Sequence, residues 1–333
     1  MKEAKHIAIV GATGAVGEEM LACLDQRNFP ISELTLLASA RSAGKKITFQ
    51  GKEIIVKELT HAAFEGVEIA LFAAGGGISE TYAPSAAKAG AIVIDNSSAF
   101  RMDDEVPLIV PEINPEAAKE AVKGIIANPN CTTIISLMAL YPLHKKYGLK
   151  SIIASSYQAV SGSGSAGIAE LKQQCEALAN GGEVISEVYP TQIAFNVIPQ
   201  VDEFQPDNYT KEELKMLNEA RKILKLPELK VTCTCVRVPV YRSHSVSITA
   251  GFEKTPNVEE ARAVYADYPG VDAKDDPSLN IFPTPLDTTL KDNCLVGRIR
   301  EDKVLDNALA LWVVGDQVRK GAALNAVQIA EIL

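Results

Sequence analysis

An apolar run, Ile7-Ala8-Ile9-Val10, stops at Gly11-Ala12-Thr13-Gly14-Ala15-Val16-Gly17, and those seven residues constrain the fold more than any others in the chain. The run has the length of a buried strand, and Ala15 to Leu24 reads as a helix. Strand, glycine turn and helix in that order form the opening of a βαβ unit. One glycine makes the tight turn, one lets a pyrophosphate approach the backbone, and one allows close helix packing. The spacing is GxxGxxG rather than GxGxxG, so the order of elements carries the inference. Further short apolar runs at Leu34 to Ala38, Val67 to Ala73 and Ala91 to Asp95 lie among helical patterns, and strands alternating with helices imply a parallel sheet. The expectation is a Rossmann-type dinucleotide domain over residues 1–127. Gly75-Gly76-Gly77 follows another strand and reads either as a second backbone approach to the cofactor or as a flexible turn.

The end of the second strand selects the cofactor. A domain specific for NAD carries an acid there for the ribose hydroxyls, whereas this chain reads Ser39-Ala40-Arg41-Ser42-Ala43-Gly44. Arg41 and Ser42 suit a 2′-phosphate, so NADP is expected. A net charge of −9 with no basic tract argues against nucleic-acid or anionic-membrane partners. The six cysteines are scattered, with no paired metal signature, and suit a reducing cytoplasm. No metal is expected. Cys233 and Cys235 alternate with threonines and should share one packed face of a strand.

A second block begins near Asn128. Strands at Ser151 to Tyr157, Lys230 to Val240 and Ser245 to Phe252 sit among helices, which predicts an α+β domain with a mostly antiparallel sheet over 128–313, followed by a C-terminal helical segment, 314–333, packing back on the first domain. One helix should bury Ile168, Leu171, Cys175 and Leu178. Another should begin at a capping box, Thr210-Lys211-Glu212-Glu213, and run through Leu214, Leu217 and Leu224; by spacing alone Glu212, Lys215, Glu219 and Lys222 fall away from that stripe, as a solvated ion-pair face would. Cys131 sits where the proline-bounded loop Asn128-Pro129-Asn130 runs into an apolar helix. A thiol at a helix N-terminus is favoured as the thiolate, which is a nucleophile.

A nucleotide fold with such a cysteine suits thiol-dependent aldehyde chemistry, and the order of the motifs goes further. The glycine loop, Asp95-Asn96-Ser97-Ser98-Ala99-Phe100-Arg101, Asn128-Pro129-Asn130-Cys131-Thr132, Tyr157-Gln158-Ala159-Val160-Ser161-Gly162, Arg237-Val238-Pro239 ahead of His244, Val314-Gly315-Asp316-Gln317 and Gly321-Ala322-Ala323-Leu324-Asn325 resemble the aspartate-semialdehyde dehydrogenases nearly end to end. The resemblance implies NADPH-dependent reduction of L-aspartyl 4-phosphate to L-aspartate 4-semialdehyde in lysine, methionine and threonine biosynthesis, by a cytoplasmic homodimer or homotetramer. It implies Cys131 as nucleophile, Gln158 orienting the acyl intermediate and His244 as general acid and base. Arg237 would hold the substrate carboxylate, and Arg101 with Lys215 the phosphate, with Glu212 on the substrate side. On the cofactor side it implies Gly11, Thr13, Gly14, Ala15 and Val16, Arg41 and Ser42, Ser161 and Gly162, and Gln317. Asn130, by position, would join the Cys131 N–H in an oxyanion contact. The competing readings are an N-acetyl-γ-glutamyl-phosphate reductase, whose cysteine motif usually continues Tyr-Pro-Thr where this chain has Thr132-Thr133, and a non-catalytic NADP-binding paralogue.

Overall fold

The computed structural model describes residues 3–333, which divide into two compact units, 3–130 with Ala322–Leu333, and Cys131–Gly321. The first unit begins β1 (Lys5–Val10), α1 (Ala15–Gln26), β2 (Ile31–Ala38), the hairpin strands β3 (Lys46–Phe49) and β4 (Lys52–Ile55), and β5 (Lys57–Glu58). It continues with β6 (Ile69–Phe72), α2 (Gly76–Lys88), β7 (Ile92–Asp95) and β8 (Ile125–Ala127). Six strands form one parallel sheet in the order β5-β2-β1-β6-β7-β8. The order reverses beside β1, so the crevice where such sheets bind ligands opens at the carboxyl ends of β1 and β6, where the glycine loop sits.

The second unit holds α3 (Cys131–Tyr147), β9 (Leu149–Gln158), α4 (Gly164–Ala179), α5 (Lys211–Leu224), β10 (Lys230–Arg237) and β11 (His244–Phe252). After these come α6 (Val258–Ala263), β12 (Val271–Ala273), α7 (Pro285–Thr288), β13 (Cys294–Glu301) and β14 (Ala308–Gly315). Its mixed sheet runs β10-β9-β11-β14-β13-β12, with antiparallel pairings at its centre and a parallel pair at each edge. α3 packs on that sheet and is buried around most of its circumference, as its continuous apolar run requires. On β9 the alternate residues Ile152, Ala154, Ser156 and Gln158 turn inward, while Ile153 and Tyr157 face out, Tyr157 against the ring of Trp312. The last helix, α8 (Leu324–Ile332), belongs to the first unit. There its Leu324, Val327 and Ile329 join Met20, Leu21 and Leu24 of α1 in the core, and Glu331 pairs with Arg27.

Two helices differ from expectation. The Thr210 capping box forms, but α5 buries Glu212, Glu213, Met216, Glu219, Ala220 and Ile223, and Leu214 and Leu217 are only half-buried. Acidic groups can lie inward because they find partners: Glu213 closes the capping box and also accepts the Cys235 N–H of β10. On α4, Leu171 is buried and Ile168 and Cys175 pack on the same cluster, whereas Leu178 lies beyond it and is exposed.

Candidate active site

Several strand ends meet at one end of the mixed sheet. β9 and β10 run parallel, and their last residues, Gln158 and Arg237, are register partners whose side chains both lie on the buried face. β11 runs against β9 and starts at this end with His244, which pairs with Gly315 at the end of β14, two residues before Gln317. A strand period of two is what puts Gln158, Arg237 and their neighbours Ser156 and Cys235 on the same side.

The backbone of Ala159 organises two of these groups. Its N–H donates to His244 Nδ1 at 3.0 Å, and its carbonyl accepts from Arg237 Nη1 at 2.7 Å. Gly162 lies between the same two side chains. A methyl added there would fall 2.7 Å from Arg237 Nη1 and 3.3 Å from His244 Nε2, so the bare glycine backbone leaves that space open. His244 is fully buried, and its Nε2 has no hydrogen-bond partner among the described residues. Burial first, and then the charge of Arg237, hold the imidazole well below its ordinary pKa of 6.5. A backbone N–H can only donate, so Nδ1 accepts, and the neutral ring carries its proton on Nε2. In that arrangement the ring meets the site as a hydrogen-bond donor through Nε2.

Gln158 is oriented from both ends, since Oε1 accepts from Ser156 Oγ at 2.9 Å and Nε2 donates to Glu212 Oε1 at 3.1 Å. Lys215 Nζ lies 2.9 Å from Glu212 Oε2 and 2.9 Å from Asp202 Oδ2. Burial alone would lower the Lys215 pKa, but Glu212 and Asp202 outweigh it and raise the pKa, keeping the ammonium charged. Glu212 and Lys215 are therefore joined to Gln158 in one network instead of lying on a solvated helix face. Gln317 is fixed as well, accepting the Ser243 N–H at 2.8 Å and donating to Ser161 Oγ. Cys131, half-buried at the start of α3, borders Gly321, where an added methyl would lie 2.8 Å from Cys131 Cβ and 3.4 Å from Gln317 Cβ. Ser156, Ala159, Asp202 and Gly321 were not singled out from sequence. Ala159 and Gly321 lay within motifs that carried the resemblance, and Ser156 carried a signal in being two residues before Gln158 on one strand; Asp202 carried none.

In the first unit, Gly11 has φ +82°, and a Cβ there would meet the Ala73 carbonyl at 2.6 Å; at Gly17 it would meet the Gly11 carbonyl at 2.3 Å. Neither position admits a side chain. α1 starts after Gly14 with no side-chain cap, which leaves the first-turn amides to a ligand, as a bound pyrophosphate requires. Thr13, Ala15 and Val16 belong to this turn. α2 begins in the same way at Gly75, and Gly75, Gly76 and Gly77 all border open space. Arg41 is exposed and pairs with no carboxylate among the described residues, while Ser42 is buried. Arg101 is buried, donating from Nε to the Asn128 carbonyl and from Nη2 to that of Asn96, and Asn130 is buried nearby in the chain. Among the described residues, no group of three or more His, Cys, Asp or Glu side chains is placed to hold a metal, and no helix is long and apolar enough to cross a membrane.

Residues 6–121 match the family profile "Semialdehyde dehydrogenase, NAD binding domain", and residues 140–320 match "Semialdehyde dehydrogenase, dimerisation domain". The aspartate-semialdehyde dehydrogenase of Aquifex aeolicus is 53% identical over 98% of this chain and 97% of its own, and that of Bacillus subtilis is 51% identical over the same shares. The chain belongs to the aspartate-semialdehyde dehydrogenase family. Aspartate semialdehyde dehydrogenase II of Vibrio cholerae, solved in complex with ASA, superposes with a TM-score of 0.97 at 46% identity, covering 100% of this chain and 98% of that one. As a member of this family the chain is an oxidoreductase that acts on an aldehyde group, with a nicotinamide cofactor in its first domain and an oligomerisation domain as its second. The strand ends described above lie within the residues matched to the dimerisation-domain profile.

Proposed function

We propose that this protein reduces L-aspartyl 4-phosphate to L-aspartate 4-semialdehyde with NADPH, through a thioester on Cys131, in the biosynthesis of lysine, methionine and threonine. The observation that carries this reading is the convergence of Gln158, Arg237, His244 and Gln317 at one end of the mixed sheet, with Gly321 bordering both Gln317 and Cys131. The Cys131 thiolate adds to the acyl carbon, the carbon–oxygen bond to phosphate breaks, and phosphate leaves with the electron pair. NADPH supplies a hydride when bound. The carbon–sulfur bond then breaks, which frees the aldehyde and restores the thiolate. His244 Nε2–H donates to the carbonyl oxygen as negative charge gathers there, and the proton consumed overall ends on the released phosphate. Arg237 holds the α-carboxylate with its planar fork, Arg101 and Lys215 take the phosphate, and Glu212 and Gln158 orient the acyl group. Asn130 and the Cys131 amide complete the oxyanion contact.

The residues of the glycine turn fit a dinucleotide, and Arg41 and Ser42 fit the 2′-phosphate of NADP, with Ser161, Gly162 and Gln317 toward the nicotinamide. Arg41→Ala should weaken NADP by about tenfold after allowance for solvent screening, and leave NAD nearly unchanged, as read by titration of both cofactors. Equal losses would remove the 2′-phosphate assignment. Gly321→Ala should lower kcat by roughly 10²-fold with an unaltered circular dichroism spectrum, because a methyl there must push Cys131 from its seat. The outward face carrying Ile153, Tyr157 and Trp312 suits a second copy of this chain, in keeping with the dimerisation profile. The deciding assay mixes the protein with aspartate semialdehyde, phosphate and NADP. NADPH absorbance should rise, and it should stay flat with N-acetylglutamate semialdehyde; the opposite selectivity would sink the assignment.

A further inference from the structure

The irregular segment 185–198 has no repeating structure of its own, yet it is tied to its surroundings at four points. The carboxylate of Glu170, buried on α4, accepts the backbone N–H groups of Glu187, Val188 and Tyr189. Gln174, one turn further along the same helix, accepts those of Ile193 and Ala194 through Oε1, at 2.9 and 3.0 Å, while its Nε2 donates to the Ile185 carbonyl at 2.9 Å. Tyr189, Ile193 and Ile198 are buried in one cluster with Leu171 of α4. At its far end Ile198 exchanges both backbone hydrogen bonds with Arg237, at 2.8 and 2.9 Å.

The segment also reaches the Arg237 side chain. The guanidinium carbon lies 5.8 Å from the centre of the Tyr189 ring, within cation–π range, and both side chains are buried. Tyr189 is itself anchored, its hydroxyl donating to the Val160 carbonyl at 3.2 Å. Burial is the first cause raising the Tyr189 pKa, so the ring stays a neutral donor. Arg237 is thus gripped three ways: its backbone by Ile198, Nη1 by the Ala159 carbonyl, and its cationic face by Tyr189.

We propose that Tyr189 is a positioning residue for the carboxylate subsite, and that Glu170 acts through it: α4 fastens the 185–198 strap so that the Tyr189 ring fixes the plane in which Arg237 presents its fork. This rests on the reading of Arg237 as the carboxylate ligand. A guanidinium held in one plane binds a carboxylate through two parallel bonds, whereas one free to swing binds as a point charge. Neither residue touches a reacting atom, so their loss should be felt in substrate binding and spare the chemical step.

The test compares Tyr189→Leu, Tyr189→Phe, Glu170→Gln and Arg237→Lys with two aldehydes: aspartate semialdehyde, and 3-aminopropanal, which lacks the α-carboxylate. Tyr189→Leu should raise KM for aspartate semialdehyde by about two- to thirtyfold with kcat within about twofold, and leave kcat/KM for 3-aminopropanal at the wild-type value. Glu170→Gln should follow it. Tyr189→Phe keeps the ring but loses its anchor on Val160, so its KM should fall between those of wild type and Tyr189→Leu; a KM as high as that of Tyr189→Leu would overturn the role of the ring. A wild-type KM in Tyr189→Leu, alongside a raised KM in Arg237→Lys, overturns the proposal alone. Equal losses with both aldehydes also overturn it, since they would mark general damage to the fold. An unchanged KM in Arg237→Lys removes the reading beneath it, and the proposal falls with that reading.

Discussion

Cys131→Ser should lower turnover by roughly 10³ or more while NADP binding and the folded structure persist, because a serine hydroxyl forms no ready anion at neutral pH. The cysteine opens α3, whose helical amides and dipole favour negative charge at that end, and the substitution changes one atom with only a small loss of packing volume. The measurement is steady-state turnover of aspartate semialdehyde, with a cofactor titration and a thermal melt as controls. If the serine variant turned over at the wild-type rate, the thioester would be excluded and the cysteine would be a packing residue. A loss of turnover together with a lowered melting temperature would point to the seat at Gly321, where the backbone of one residue lies against the side chain of the other.

The parts of this protein that were legible in its sequence are those set by local rules. The glycine loop is fixed by close approaches that admit no Cβ, such as Gly17 against the Gly11 carbonyl, and these recur wherever a strand turns into a helix over a ligand. The Thr210 cap is fixed by residues three apart. What escaped was decided by partners distant in the chain. α5 reads as a helix with a leucine stripe, but Glu212 lies inward because Gln158, 54 residues earlier, donates to it. The 185–198 strap has no period to detect, and its anchoring shows only in where Glu170 and Ile198 tie it down. The family resemblance supplied His244 as a catalytic residue, yet its proton arrangement depends on the amide of Ala159, 85 residues away.

That arrangement leads to the second large effect. His244→Asn should lower kcat by roughly 10²–10³, the usual loss for a donor aimed at a developing oxyanion, while KM changes little because Arg237 holds the carboxylate. His244→Gln can carry an amide N–H toward the position of Nε2 and should recover part of the loss, which a proton-transferring role would not allow. The pH dependence gives an independent check. Burial, and then Arg237, lower the folded-state pKa well below 6.5, so the ring stays neutral through neutral and mildly acidic pH. In the unfolded chain the same histidine binds a proton as pH falls through about 6.5. Its contribution to stability is therefore fully present above the unfolded pKa and is lost as pH falls toward the folded one. Denaturant melts at about pH 7.5 and about pH 5.5 should show a smaller acid-side loss in His244→Gln than in the wild type. Over the same window the wild-type kcat/KM should show no titration belonging to His244. An acid limb with a pKa near 6.5 that vanishes in His244→Gln would make the imidazole a titrating base after all, and the hydrogen bond from Ala159 would then have to break during turnover.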